Sequence, residues 1–125
     1  MRRSMRRGAL TVAGGVVLIL IGWWWIDLTR GEPTPFVKPA VVDGRNLQVT
    51  YTGSRCQDGS RLDVDERIDR VVVTVYEWEY PTGCNDVGVP YTLTATLSND
   101  LGDRTVVDGA CEVPRLQGYT DCLER

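Results

Sequence analysis

The sequence predicts an all-β domain, a small antiparallel sandwich or meander of about six strands, preceded by one N-terminal transmembrane helix. Three observations predict it. An uncharged apolar stretch lies near the start, apolar and polar residues alternate with period two from Asp43 onward, and no amphipathic helical period of useful length follows that point. The 125 residues carry a net charge of −3 and no histidine. Without histidine there is no Ser-His-Asp or Cys-His catalysis, no His-ligated metal and no His-based pH switch. The charge is divided unevenly: residues 1–30 hold five arginines and one aspartate, a local +4, and residues 31–125 hold nine basic and sixteen acidic residues, a local −7. A basic start and an acidic remainder point to two environments. With no basic patch in the acidic part, nucleic acid is not an expected partner.

Ala9–Ile26 reads ALTVAGGVVLILIGWWWI, eighteen residues without a charge. As a helix it would reach about 27 Å, close to the roughly 30 Å of a hydrocarbon core. Nine large aliphatics favour insertion, and Thr11, Gly14, Gly15 and Gly22 offset part of that gain. Arg2, Arg3, Arg6 and Arg7 favour keeping the N-terminus in the cytoplasm, so Trp23, Trp24 and Trp25 fall at the far interface, where indoles prefer the headgroup region. The expectation is a basic cytoplasmic tail over residues 1–8 and a signal-anchor helix over 9–28. The bilayer is then a partner, and the protein is a single-pass cell-membrane protein with its C-terminal domain extracellular. A cleaved signal peptide would need small residues after the apolar run, where three indoles stand, and a lipoprotein signal would need a cysteine well before Cys56.

Residues 29–42, TRGEPTPFVKPAVV, contain Pro33, Pro35 and Pro39 and read as a semi-rigid Pro-rich linker that includes the sole lysine, Lys38. From 43 to 125 the strand signals begin. Leu47, Val49 and Tyr51 alternate with Gln48, Thr50 and Thr52. Leu62 and Val64 alternate with Asp63 and Asp65. Val71–Trp78 is the longest β-branched and aromatic run and the best candidate for a central strand. Tyr91, Leu93, Ala95 and Leu97 alternate with Thr92, Thr94 and Thr96. Two shorter strands, Arg104–Val107 and Ala110–Val113, are expected around an Asp108-Gly109 hairpin turn.

A domain of about 83 residues buries only some 60–65 % of its unfolded surface, so covalent staples would help. Cys56, Cys84, Cys111 and Cys122 all lie in this part and read as disulfides in an exported setting. Three pairings are open, and the order of neighbouring strands favours Cys56–Cys84 with Cys111–Cys122. The cysteines lack the C-x-x-C spacing of zinc and thioredoxin-like sites.

Other clusters are better explained without chemistry. Asp58, Asp63, Asp65, Glu66 and Asp69 fall close together, but Asp63 and Asp65 alternate with apolar Leu62 and Val64, and Arg61, Arg67 and Arg70 are interleaved with the cluster, as on a solvated, salt-bridged face. They do not follow the EF-hand ligand order. Glu77 and Glu79 bracket Trp78 beside Tyr76 and Tyr80, a combination found in carbohydrate sites and equally suited to a strand end. Ser54, Ser60 and Ser98 have no base. No catalytic residue, cofactor or metal site is expected, and the protein is not expected to be an enzyme.

Cys56, the run Asp69–Val75 (DRVVVTV), Cys84, the run Tyr91–Leu97 (YTLTATL) and Leu101–Gly109 (LGDRTVVDG) together resemble small exported or membrane-anchored domains of actinobacteria. The similarity covers residues 47–109. It implies a cell-envelope β domain and carries no catalytic or ligand residues with it. The expected role is therefore an envelope interaction module that contacts an envelope protein or polymer. The rival expectation is a small carboxylate-dependent hydrolase acting on carbohydrate through Glu77 and Glu79. The anchor has a direct test: protein extracted from membranes should have the mass of the whole chain, 14.0 kDa. A mature N-terminus near residue 28 would contradict it.

Overall fold

The alternation that marks the sequence after residue 43 becomes strands, and it begins earlier than the pattern suggests. In a computed structural model that describes residues 16–24, 30–79 and 87–124, seven strands are present: β1 (Glu32–Thr34), β2 (Val37–Asp43), β3 (Asn46–Ser54), β4 (Gly59–Glu66), β5 (Arg70–Trp78), β6 (Gly88–Thr96) and β7 (Thr105–Asp108). They form two sheets. In sheet I, β5 lies between β4 on one side and β1 and β7 on the other; in sheet II the order is β2-β3-β6. Every pairing is antiparallel except β5 with β7, which run parallel from Arg70↔Thr105 to Val73↔Asp108. The fold is mostly antiparallel β, as expected, with one parallel pair that the sequence did not announce.

The core lies between the inward faces of the two sheets. Val71, Val73 and Val75 of β5 meet Leu47, Val49 and Tyr51 of β3, with Phe36 and Leu97 closing the cluster. On β3 and β5 these are alternate positions, as period two requires of a shared face, and Val72 on the other face of β5 is buried as well. Opposite them, Asp63 and Asp65 of β4 are exposed, and Arg67 and Arg70 pair with Asp65 (2.8 Å) and Asp69 (3.0 Å). The solvated face expected for this acid cluster is present at Asp63, Asp65 and Asp69, whereas Glu66 is half-buried.

Within the linker expected over 29–42, residues 31–42 belong to the folded unit. Gly31 opens the folded unit Gly31–Arg125, Phe36 is in the core, and β1 and β2 occupy most of the segment. Prolines remove a ladder donor and are therefore confined to edge strands and irregularities. Pro33 sits in three-residue β1, and Pro39 sits in edge strand β2, where the register shifts between Val37 and Val41 and the Lys38-Pro39 bond is cis. The prolines mark edges rather than a spacer.

The Asp108-Gly109 signal is likewise not a hairpin. Asp108 ends β7, and its carboxylate caps the 3-10 turn η1 (Gly109–Glu112) by accepting the Ala110 N–H at 3.0 Å, so Ala110–Val113 is not a strand. Gly109 is required for a packing reason: a Cβ there would run into the Thr74 hydroxyl on β5. A second 3-10 turn, η2 (Pro114–Leu116), and a one-turn helix (Thr120–Leu123) follow, with Ala110 and Leu116 buried.

The unit Met1–Arg30 is described only in part. Residues 16–24 are helical, with Val16 to Ile21 between 46 % and 71 % exposed. Among the described residues no helix is long and apolar enough to cross a membrane. Residues 9–15 and 25–28 of the expected span lie outside the described residues.

One polar contact ties the sheets together. Asp108, 3 % exposed, accepts the Phe36 N–H through Oδ2 at 3.0 Å and the Lys38 ammonium at 3.2 Å. Lys38 also donates to the Phe36 and Asp121 carbonyls, lies 5.1 Å from the Phe36 ring centroid and is 3.7 Å from Cys111 Sγ. Removing one partner of a buried pair leaves an uncompensated charge, and here it also orphans two backbone donors. Asp108→Ala should therefore cost about 3–5 kcal/mol of folding free energy. Asp108→Asn, whose amide oxygen can still accept a backbone N–H, should cost less. Urea denaturation of the full chain, followed by circular dichroism, measures both.

Candidate functional site

The exposed sides of the two sheets differ in chemistry. On sheet I, β4 displays Arg61, Asp63 and Asp65, with the Arg61 guanidinium 4.6 Å from the Tyr76 ring centroid. On the strands of sheet II the exposed residues are Val37, Pro39, Val41 and Asp43 of β2, Asn46, Gln48 and Thr52 of β3, and Gly88, Pro90, Thr92, Thr94 and Thr96 of β6. Asp43 is the one charge among them, in a chain of which 25 % is charged.

Register explains how these residues converge. The antiparallel pairing sets Asn46 against Thr96, Gln48 against Thr94 and Thr50 against Thr92, with the Thr50 and Thr92 hydroxyls 3.2 Å apart. On the other side of β3, Val41 stands against Gln48 and Asp43 against Asn46. Opposed side chains on one face are about 4.5–5.5 Å apart at Cβ, so they act as a single surface. They line an open depression of about 650 Å³ formed by Val41, Asp43, Asn46, Leu47, Gln48, Thr94, Ala95 and Thr96. Two amides and two hydroxyls supply both donors and acceptors there, and Val41, 59 % exposed, supplies an apolar rim. Such a surface suits a neutral ligand rich in hydroxyl or amide groups. Asp43 is the one ionisable side chain among the described residues of its lining.

A second polar group lies at one end of the core. Tyr51, fully buried, donates its hydroxyl to Gln57 Oε1 at 3.0 Å and stacks on Tyr91 at 5.6 Å, and the Tyr91 hydroxyl donates to the Ser54 carbonyl. Glu77 shares the core side of β5 with Val73 and Val75 and accepts the Thr34 hydroxyl at 3.0 Å. Gly53 makes room for the group: a Cβ there would lie 2.5 Å from Gln57 Oε1 and 2.8 Å from Glu77 Oε2. Glu79 is one residue past β5 and exposed. The two carboxylates of the expected hydrolase are therefore in different settings, one turned inward and one in solvent.

At the opposite end, Glu66 accepts the Ser98 N–H at 2.6 Å and the Arg104 guanidinium at 3.0 Å. These bonds, the Ser98 N–H foremost, hold its carboxyl below the usual range against the opposing effect of burial. They fasten the β6–β7 connection to the end of β4.

Cys111 and Cys122 form a disulfide with Cα atoms 5.4 Å apart, which closes η1, η2 and the terminal helix into a loop beside Lys38. Cys56 is also disulfide-bonded. Its expected partner, Cys84, lies outside the described residues, as do Trp25 and Tyr80. Trp23 and Trp24 are 75 % and 65 % exposed. Among the described residues no three of His, Cys, Asp and Glu gather where they would hold a metal ion.

The sequence pattern isolates Gln48, Thr50, Thr52, Thr92, Thr94 and Thr96 as the polar halves of two strands. It misses their shared face, because pairing β3 with β6 requires knowing that β4 and β5 leave for the other sheet. Comparison with family models, curated proteins and solved structures finds no match for this chain.

Proposed function

We propose that this protein is a non-catalytic, membrane-anchored binding module of the cell envelope, and that the exposed side of sheet II is its binding surface. The observation that carries the proposal is the near absence of charge over that face, in a folded unit with a net charge of −7. A surface with no task beyond solubility would be expected to share the charge found on β4. Asn46, Gln48, Thr94 and Thr96 instead offer neutral hydrogen-bonding groups, the chemistry that recognises hydroxyl- and amide-rich polymers.

Support for the anchor comes from the sequence: an eighteen-residue uncharged run, four arginines before it and indoles at its far end. The disulfides support the same side of the membrane, since they persist in an exported, oxidising setting. The hydrolase alternative would need Glu77 and Glu79 to work as an acid/base pair across one ligand. Glu77 is instead engaged by Thr34 at the end of the core.

Co-sedimentation of the full chain in detergent with purified peptidoglycan sacculi tests the reading. Wild type should bind, and Asn46→Ala combined with Gln48→Ala should lower the affinity about tenfold or more, since two hydrogen-bonding groups are lost. Binding should change little between low and high salt, because neutral contacts are not screened. Undiminished binding by the double variant, or soluble sugar released by wild type and not by Glu77→Gln, would contradict it.

A further inference from the structure

Each exposed edge of the two sheets is a row of main-chain donors and acceptors that another strand can use, and proteins blunt such edges with charge, proline or bulges. The β4 edge carries Arg61, Asp63 and Asp65, and the β2 edge carries Pro39 and a register shift. Edge strand β6 differs. Beyond Pro90 it reads Tyr91-Thr92-Leu93-Thr94-Ala95-Thr96, with no charge, no proline and an unbroken nine-residue register against β3. Among the described residues no strand lies on its far side.

Its hydrogen-bonding phase follows from one bond. The Leu97 N–H donates to the Arg45 carbonyl at 2.7 Å, so in an antiparallel ladder Ala95, Leu93 and Tyr91 also turn their main-chain groups toward β3. Thr92, Thr94 and Thr96 therefore turn theirs toward the free edge. The stretch from Thr92 to Thr96 is nearly self-complementary when reversed. Turned about a twofold axis at Thr94, Thr92 faces Thr96 of a second copy, Thr94 faces Thr94, and Leu93 faces Ala95. Each threonine pair then exchanges both of its main-chain hydrogen bonds. Threonines meet on the exposed face, and Leu93 and Ala95, which are only half-buried in one copy, cover each other on the core side.

We propose that two copies of this chain associate through antiparallel pairing of β6 with β6 in this register, fusing their second sheets into one six-stranded sheet. The reversed self-complementarity of Thr92–Thr96 favours a second copy as the occupant; the folded unit is acidic, and β6 adds no local repulsion because it is uncharged along its length. The inference goes beyond the binding reading and does not depend on it. The contact is small compared with the 1,200–2,000 Å² or so of a standard interface, so the dimer is expected to be weak and exchanging.

A cysteine scan on the full chain in detergent tests the register. Residues facing each other in a hydrogen-bonded pair have Cα atoms about 5.5 Å apart, within disulfide reach. Thr94→Cys should give a covalent dimer under mild oxidation, with peptide mapping finding the link between the two introduced thiols. Thr92→Cys alone should crosslink at least tenfold less, and a mixture of Thr92→Cys with Thr96→Cys should crosslink again. Asp63→Cys on β4 controls for random collision and for association through the N-terminal segment. Thr94→Pro removes a donor that points away from β3; it should keep the circular dichroism of wild type and lose self-association in sedimentation. Crosslinking of Thr94→Cys no faster than Asp63→Cys, or a Thr94→Pro chain that associates like wild type, would overturn the proposal.

Discussion

The entry to β2, the end of β7 and the C-terminal segment converge on one carboxylate. Asp108 ends the last strand of sheet I, yet its side chain lies between the sheets, where it accepts the Phe36 N–H, the Ala110 N–H and the Lys38 ammonium. Each bond has a separate consequence. The first fixes the entry into β2 and so places Phe36 in the core. The second turns the chain from β7 into η1 and sends the C-terminal segment back across β5. The third brings Lys38 of sheet II to Asp121, beside the disulfide that closes that segment. A carboxylate buried in apolar surroundings is tolerated only when its oxygens are satisfied, and Asp108 has a partner on each. The parallel pairing of β7 with β5 brings it there, because Asp108 stands in register with core-facing Val73.

Most of the fold was legible in the sequence, because period two selects the buried side of a strand without reference to partners. β3, β4, β5 and β6 fall where alternation places them, and Val71–Trp78 is the central strand of its sheet. The parts that were not legible depend on distant residues. Pro33, Pro35 and Pro39 hide β1 and β2, since proline suppresses the strand signal without forbidding an edge strand. Asp108-Gly109 has the composition of a hairpin turn. What converts it into a cap is the Phe36 N–H, seventy-two residues away, and the Thr74 hydroxyl that leaves space only for glycine. Lys38 had no local signal at all, as its partner is seventy residues distant.

The candidate site shows the same division. The threonines of β3 and β6 are recognisable as solvent-facing positions, and their joint face appears only once β3 and β6 are paired and β4 and β5 are in the other sheet. The result is an unequal distribution of surface character. Charge is gathered on β4 and its neighbouring turn, where it discourages strand addition and keeps the domain soluble. Neutral hydroxyl and amide groups are gathered on sheet II, which leaves both a face and an edge open to partners. The proposed binding reading uses the face, and self-pairing at β6 would use the edge and extend the face rather than cover it.

Amide hydrogen exchange at Phe36 tests the central role of Asp108 most directly. The Phe36 N–H lies just before β2, and its acceptor is the Asp108 carboxylate rather than a strand partner. If that contact joins the sheets, Phe36 and Ala110 should exchange as slowly as Val49 and Val73 in the core strands, through global unfolding only. Exchange at Phe36 and Ala110 orders of magnitude faster than at Val49 and Val73 would mean that the contact opens while the sheets stay intact, and would contradict the account.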